Sequence, residues 1–284
     1  MSIATREVRS TTAPAEPAEQ RIEKQTVALS VVVPAYREGR RIHDNLARLV
    51  RELDTLNVAY EVIVVSDGNT DGTAAEARRV GSPNVKVFDY PMNVGKGFAL
   101  SFGVAQSTGP LVTFIDADME LDPANIRPFL GLMQTSEWDA VIGSKRHPKS
   151  KVDYPRFRRF QSAIYQLLVR VLFSLNVRDT QTGLKLFRRE VLEEALPLLA
   201  IKKFAFDLEL LVVAHHIGYR RVVEAPIRLD YRFNSTVRPS AVFSILWDTA
   251  AIFYRLRILH YYQHRRAQLQ GESTSELNRA EEPS

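Results

Sequence analysis

Apolar positions fall along this chain in two rhythms. Short unbroken runs of aliphatic and β-branched residues read as buried strands, and between them apolar residues recur at helical spacing. Leu29–Pro34 (LSVVVP), Val62–Val65, Val85–Phe88 and Leu111–Ile115 belong to the first kind. Arg41–Leu56 belongs to the second, with Ile42, Leu46, Leu49, Val50 and Leu53 on one face, as do Ala74–Val80 and Gly95–Gln106. A strand with no polar alternation is covered on both faces. Strands alternating with helices predict an α/β fold, a mainly parallel sheet with crossover helices on both sides.

The second half continues the pattern less regularly. Helices are expected over Pro123–Met133, with Asp122 as N-cap, and over Phe160–Leu175, Arg189–Leu199 and Phe206–Ile217. Strands are expected over Asp139–Gly143, at the end of Asp179–Phe187 and over Arg220–Pro226, with a basic loop over Tyr231–Pro239. Ser240–His260 reads as a last helix, apolar around much of its surface and interrupted by Asp248. The expected organisation is a disordered tail over 1–28, one domain over 29–239, an amphipathic helix over 240–265 and a polar, disordered tail over 266–284.

Composition narrows the class. The chain has 284 residues, 45% of them hydrophobic, enough for one large core. It has no cysteine, which excludes disulfides, thiolate metal sites and a thiol nucleophile. No apolar run has the length of a membrane span or the form of a signal peptide, so a soluble or peripheral protein is expected. The net charge of +5 is not spread evenly. Lys145, Arg146, Lys149, Lys151, Arg156, Arg158 and Arg159 stand against one acid, Asp153, a local net of +6. Such a run, flanked by Tyr154, Phe157 and Phe160, is either a solvated face or an anion site.

The candidate chemistry follows the strands. In open α/β sheets ligands lie beyond the carboxyl ends of the strands. There the chain places Pro34-Ala35-Tyr36-Arg37-Glu38 after the first strand and Ser66-Asp67-Gly68 after the second. Asn93-Val94-Gly95-Lys96-Gly97 opens a helix, and Asp116-Ala117-Asp118 follows Leu111–Ile115, with Glu120 beyond. Carboxylates this close repel one another unless a cation lies between them, and hard oxygen ligands suit Mg²⁺ or Mn²⁺. The alternative is a polar turn whose aspartates cap the next helix. A glycine-rich helix start with Lys96 suits phosphate oxygens. Asp67 could accept from a base N–H. Together the four loops point to a nucleotide diphosphate held through a metal ion.

These segments resemble glycosyltransferase family 2 enzymes of the GT-A fold, and among them the polyprenyl-phosphate sugar transferases. The resemblance runs from about Leu29 to Pro239 and rests on VVVPAYRE, SDGNTDGT, NVGKGFAL, FIDADME, IGSKRH, RDTQTGLKLF and FAFDLELL. It implies that Pro34, Ala35, Tyr36, Glu38, Asp67, Gly95 and Ala117 line the nucleotide pocket and that Lys96 approaches the diphosphate. Asp116, Asp118 and Glu120 would hold Mg²⁺ or Mn²⁺, and Lys145 with the Arg156–Arg159 group, Arg158 included, would face the acceptor phosphate. The late motifs resemble the glucosyl branch. Two positions depart from the family pattern: Ser66 stands where an aspartate is usual, which leaves UDP and GDP both open, and Lys145 where an arginine is usual.

The resemblance implies a metal-dependent, inverting transferase that moves glucose or mannose from a nucleotide sugar to a polyprenyl phosphate, with no nucleic-acid partner. The expected place is the cytoplasmic membrane face, with Arg255, Arg257, Arg265 and Arg266 near lipid phosphates. The alternative for the last helix is packing on the core or on a second copy in a homo-oligomer. If the acceptor is instead a neutral hydroxyl of a glycan or metabolite, Asp207 and Glu209 are the candidate bases; their other reading is favourable charge at a helix N-terminus. A non-catalytic nucleotide-sugar-binding protein is the third reading. His215 and His216 belong to the helix rather than to a metal site.

Overall fold

The computed structural model describes residues 26–68, 70–150, 156–201, 205–229 and 239–280, and of 156–163, 239–243 and 272–280 the backbone alone. Strands β1 (Leu29–Ala35), β2 (Tyr60–Asp67), β3 (Val85–Tyr90), β4 (Leu111–Phe114), β5 (Ala140–Ser144), β6 (Lys185–Arg188) and β7 (Val222–Pro226) form one sheet in the order β3-β2-β1-β4-β6-β5-β7. β1 is parallel to β2 and β4, and β2 to β3. β6 runs antiparallel to both β4 and β5, and β5 parallel to β7. The sheet is mixed and mainly parallel, as the strand pattern predicts.

The unbroken apolar runs are explained by a core on each face. Along β1, Val32 packs with Ile63, Val112 and Phe114 on one side, while Val31 and Val33 pack with Val62 and Val64 on the other. The second face is covered by α1 (Ile42–Asp54), α2 (Thr73–Arg78) and α4 (Ile126–Thr135), through Leu46, Leu49, Ala77 and Phe129. The first face is covered by α3 (Lys96–Ala105), α5 (Arg156–Phe173), α6 (Arg189–Ala195), α7 (Phe206–Ile217) and α8 (Pro239–Arg257). Each fully buried Leu or Val contributes about 1.5–3 kcal/mol. α4 begins one turn later than expected, because Pro123–Asn125 forms a 3-10 turn; Asp122 still caps it, accepting from Ala124 N–H at 3.0 Å.

The C-terminal region departs from expectation. Helix α9 (Tyr261–Ala280) continues across Arg266, where a structureless tail is expected. Tertiary anchors hold its start: Tyr262 is buried and donates to Glu209 at 2.7 Å, and Arg266 pairs with Glu194 at 2.7 Å. α8 packs on the core along one side, which is one of its alternatives. Thr249, Ile252 and Leu256 are buried, while Trp247, Tyr254 and Ile258 stay exposed on the opposite side. No helix of the described residues is long and apolar enough to cross a membrane. The expected N-terminal tail, through residue 25, and the Tyr231–Arg238 part of the basic loop lie outside the described residues.

One buried acid ties the sheet to its loops. Glu61 of β2 accepts from Ser30 Oγ at 2.8 Å, from Thr108 N–H and Oγ at 2.5 and 2.9 Å, and from Lys86 Nζ at 2.8 Å. Burial works to raise its carboxyl, but Lys86, Thr108 and Ser30 outweigh it and hold the group below its usual 4.5. A depressed carboxyl stabilises the fold above its unfolded value, and that stabilisation is lost as pH falls through the folded one. Urea unfolding of wild type should therefore lose stability steeply below pH 4.5. Glu61→Gln should be about 1–3 kcal/mol less stable at pH 7 and show a flatter acid limb; an acid limb as steep as wild type would separate Glu61 from it.

Candidate active site

Strand order reverses between β1 and β4, because β2 lies to one side of β1 and β4 to the other. The crevice at their carboxyl ends is where an open sheet of this kind places a ligand. A cavity of about 560 Å³ lies there. Four loops line it: Pro34, Ala35, Tyr36 and Glu38 after β1; Asp67 at the end of β2; Asn93, Gly95 and Lys96 at the start of α3; Asp116, Ala117 and Asp118 after β4. Every residue the resemblance assigns to the nucleotide pocket is in that lining, and Asn93 joins them.

The acids reach it by strand alternation. Ile115, Ala117, Met119 and Leu121 are buried, while Asp116 is half-buried and Asp118 and Glu120 are exposed. The chain turns at Met119, whose φ is 49° and whose N–H donates to the Asp116 carbonyl at 3.1 Å. Glu120 N–H donates to Asp118 Oδ1 at 3.1 Å. Asn45 Nδ2 fixes the Ala117 carbonyl at 2.8 Å.

Two lysines face these acids. Lys96 Nζ lies 2.6 Å from Asp116 Oδ1 and 3.8 Å from Asp207 Oδ2. Lys185 is fully buried and donates to Asp207 Oδ1 and to the Thr182 carbonyl, each at 2.5 Å. Burial works to raise the Asp207 carboxyl, yet Lys185 and Lys96 hold it below the usual carboxylate range. Burial likewise disfavours the Lys96 ammonium, but Asp207 and Asp116 outweigh it and hold the group above the usual lysine range. Lys185 was not singled out in the sequence; its signal is a lone cation inside an apolar strand, which requires a buried acid.

Close backbone contacts set this geometry. A Cβ on Gly97 would meet the Phe206 ring at 2.5 Å, so α3 starts hard against α7 and brings Lys96 to Asp207. A Cβ on Gly183 would fall on the Asp116 carboxylate. Gly95 has φ 120°, a left-handed conformation that favours glycine.

Several expected roles change. Asp67 does not face the cavity with a free carboxylate: it accepts from Val94 N–H at 2.7 Å, Gly95 N–H at 2.9 Å and Asn93 Nδ2 at 3.0 Å. The Gly95 N–H assigned to phosphate is therefore held by the acid assigned to the base. Glu209 is not a candidate base. It is fully buried, accepting from Ala200 and Ile201 N–H at 3.1 and 2.7 Å, from Arg255 at 3.1 Å and from Tyr262. Arg255 pairs with the buried Glu209, and Arg266 pairs with Glu194 at the surface. Lys145 follows β5 outside the cavity lining, its N–H held by Asp179 at 3.1 Å; its charge partly opposes the rise of the Asp118 and Glu120 carboxyls. Arg158 lies on α5, and its side chain is outside the described residues.

The donor set fits a hard divalent ion. Burial and the Asp116 charge, against an opposing hydrogen bond from Glu120 N–H, raise the Asp118 carboxyl, and burial and Asp118 raise those of Glu120 and Glu38. The Lys96 ammonium on Asp116 stands where positive charge is needed. Among the described residues no three His, Asp or Glu are gathered to hold an ion, and Glu120 is off the cavity wall. Asp116 and Asp118 would be the protein's two ligands, the rest coming from diphosphate and water.

Comparison with known proteins shows the family. The family model "Glycosyl transferase family 2" matches residues 30–196. The chain belongs to glycosyl transferase family 2. It is a glycosyltransferase, with the α/β fold of that family. It is 32% identical over 218 residues to glycosyltransferase AglD of Haloferax volcanii, covering 74% of this chain and 35% of that protein. The chain thus spans about a third of that relative's length. It is 30% identical over 244 residues to a dolichyl-phosphate beta-glucosyltransferase of Trichomonas vaginalis, covering 81% of this chain and 75% of that one. Among solved structures it resembles glucosyl-3-phosphoglycerate synthase of Mycobacterium tuberculosis in complex with Mn²⁺, UDP and phosphoglyceric acid. There the TM-score is 0.57 and the identity 21%, over 84% of this chain and 78% of that one.

Gly183 offers a test of the site. Gly183→Ala should keep the circular dichroism spectrum and lose about 1–3 kcal/mol of stability to overpacking, while displacing Asp116. The rate of sugar transfer should fall about 100-fold, as for a 1 Å misplacement of a reacting group. Near-normal turnover would mean that the Asp116 position does not matter.

Proposed function

We propose that this glycosyltransferase moves glucose from UDP-glucose to a polyprenyl phosphate, with Mg²⁺ or Mn²⁺ at Asp116 and Asp118. The observation that carries the reading is the Asp116–Asp118 pair at the lip of a nucleotide-sized cavity with Lys96 against it. The glucosyl and lipid-phosphate assignments draw support from the relatives named dolichyl-phosphate beta-glucosyltransferase.

The cation, when bound, would neutralise charge building on the leaving diphosphate. Lys96 adds a second positive charge on the same side. Tyr36, half exposed at the rim with Arg37 stacked on its ring at 5.2 Å, would cover the nucleotide. Lys145 and the basic segment that continues to Arg159 would offset repulsion between two anionic reactants in one cleft. A polyprenyl phosphate is already anionic near neutral pH, so its oxygen needs positioning rather than a base. Asp207 suits that acceptor better than a hydroxyl. Its two oxygens face Lys185 and Lys96, and a carboxylate held below its usual range is a poor base. Attack from the face opposite the diphosphate inverts the anomeric carbon.

We place the lipid side at α5 and α8. Of the large hydrophobic side chains left exposed, Ile164, Leu167 and Val171 form a stripe along α5, and Leu246, Trp247, Tyr254, Ile258 and Leu259 lie on α8 and just beyond. The two helices pack together through Tyr165 Oη and Thr249 Oγ at 3.0 Å and through Phe173 and Phe253. Their apolar faces, with exposed Arg170 and Arg257 beside them, suit the boundary of an anionic bilayer. The membrane would be the cytoplasmic one, approached from its inner face.

Purified protein with labelled UDP-glucose, Mg²⁺ and a polyprenyl phosphate should yield a lipid-extractable β-linked sugar. Asp118→Asn should lower that yield about 100-fold or more. No such product from UDP-glucose or GDP-mannose would end the lipid-phosphate reading. Leu167→Glu with Ile258→Glu should lower sedimentation with anionic vesicles about tenfold and leave release of nucleotide to a water-soluble acceptor unchanged. Undiminished sedimentation would move the lipid face elsewhere, and a change from dimer to monomer on gel filtration would assign the face to a second copy.

A further inference from the structure

Four charges alternate in sign along a row that runs from the cavity wall into the core: Asp116, Lys96, Asp207, Lys185. Lys185 Nζ is 2.5 Å from Asp207 Oδ1; Lys96 Nζ is 3.8 Å from Asp207 Oδ2 and 2.6 Å from Asp116 Oδ1. Lys96 is thus unequally shared, tight on Asp116 and loose on Asp207. The two acids differ in freedom. Asp207 is 7% exposed and fixed by a fully buried lysine, while Asp116 opens to the cavity with Asp118 beyond it. Gly183 lies so close against Asp116 that a Cβ there would overlap the carboxylate, which leaves the group little room on that side.

We propose that Lys96 is an exchangeable place-holder for the divalent cation. It neutralises Asp116 in the empty site and swings to Asp207, and to the incoming diphosphate, when the site is loaded; Lys185 is the positioning residue that keeps Asp207 ionised and aimed to receive it. This rests on Asp116 and Asp118 being the metal ligands. The physical ground is Coulombic. An ammonium 2.6 Å from a carboxylate oxygen competes directly with a dication for the same charge, and the two repel at that range in a partly buried site. Asp207 Oδ2 lies just beyond bonding distance, close enough for the Lys96 side chain to reach by rotamer change and already aligned by Lys185. A site built this way resists metal alone and accepts metal with nucleotide, because the diphosphate gives the displaced ammonium a new partner. Binding of the two ligands is then cooperative, and metal alone binds the site more weakly than metal with nucleotide.

The sign of one measurement separates this from an ordinary diphosphate-binding lysine. Mn²⁺ affinity without nucleotide is read from the electron paramagnetic resonance signal of free Mn²⁺, on full-length protein at pH 7.5. Lys96→Met should bind Mn²⁺ alone about tenfold more tightly than wild type, because the competing charge is gone, while UDP in saturating Mn²⁺ binds more weakly. In wild type, UDP should tighten Mn²⁺ markedly; in Lys96→Met that coupling should shrink. Lys96→Gln, which keeps a polar end without charge, should follow Lys96→Met. Mn²⁺ affinity unchanged or weakened in both variants, with thermal melts like wild type, overturns the proposal. Failure of wild type to bind Mn²⁺ even with UDP present would instead remove the metal assignment on which it stands.

Discussion

The structure turns on one electrostatic constraint. Placing Asp116 and Asp118 just beyond the end of a central strand concentrates negative charge at the mouth of the cleft. Two like charges at about 4 Å repel by roughly 4 kcal/mol at a surface-like effective dielectric. The fold answers with cations fixed from three directions: Lys96 from the first turn of α3, Lys185 from β6 through Asp207, and Lys145 from the end of β5. Each is delivered by a different element, so the charge balance also fixes how the elements meet. Gly97 lets α3 close on Phe206 of α7, and Gly183 lets the segment before β6 close on Asp116. Larger side chains at either place would separate the charges.

Lys185 can be buried only because Asp207 is. A lone ammonium in the sheet would neutralise itself rather than remain charged in low dielectric. Paired at 2.5 Å and bonded to the Thr182 carbonyl, it becomes a rigid post at the antiparallel strand. Such a pair adds little net stability, since desolvation offsets the attraction, but it fixes orientation. This explains why β6 runs against its neighbours: a reversed strand beside β4 brings the 182–185 segment to the same sheet edge as the acids.

Much of this was legible in the sequence. β1, β2, β4 and α7 fall at or within a few residues of their expected bounds, because unbroken apolar runs and helical spacing both signal burial. The cavity lining was legible because strand ends in open α/β sheets converge. What was not legible is pairing at a distance. Asp207 and Glu209 look alike in sequence, two acids in one first turn, yet one pairs with Lys185 and Lys96 and the other takes up Ala200, Ile201, Arg255 and Tyr262. Asp67 and Gly95, read as separate ligand contacts, satisfy one another. The helical course of residues 266–280 was missed because its polar surface carries no apolar period, while its anchor, Tyr262, lies at its start.

The two acids of α7 also connect the cleft to the C-terminal helices. Residues two apart on a helix point about 200° apart, to nearly opposite sides. Asp207 therefore reaches Lys96 and Lys185, and Glu209, on the other side of the helix, holds α8 through Arg255 and α9 through Tyr262. Both acids are buried and both are paired, so neither can shift without leaving an uncompensated charge, which is among the more destabilising changes a core can suffer. A helix constrained at both faces transmits position rather than absorbing it. α8 is consequently linked to Asp116, just beyond β4, by Arg255 on Glu209 and by Lys96 between Asp207 and Asp116.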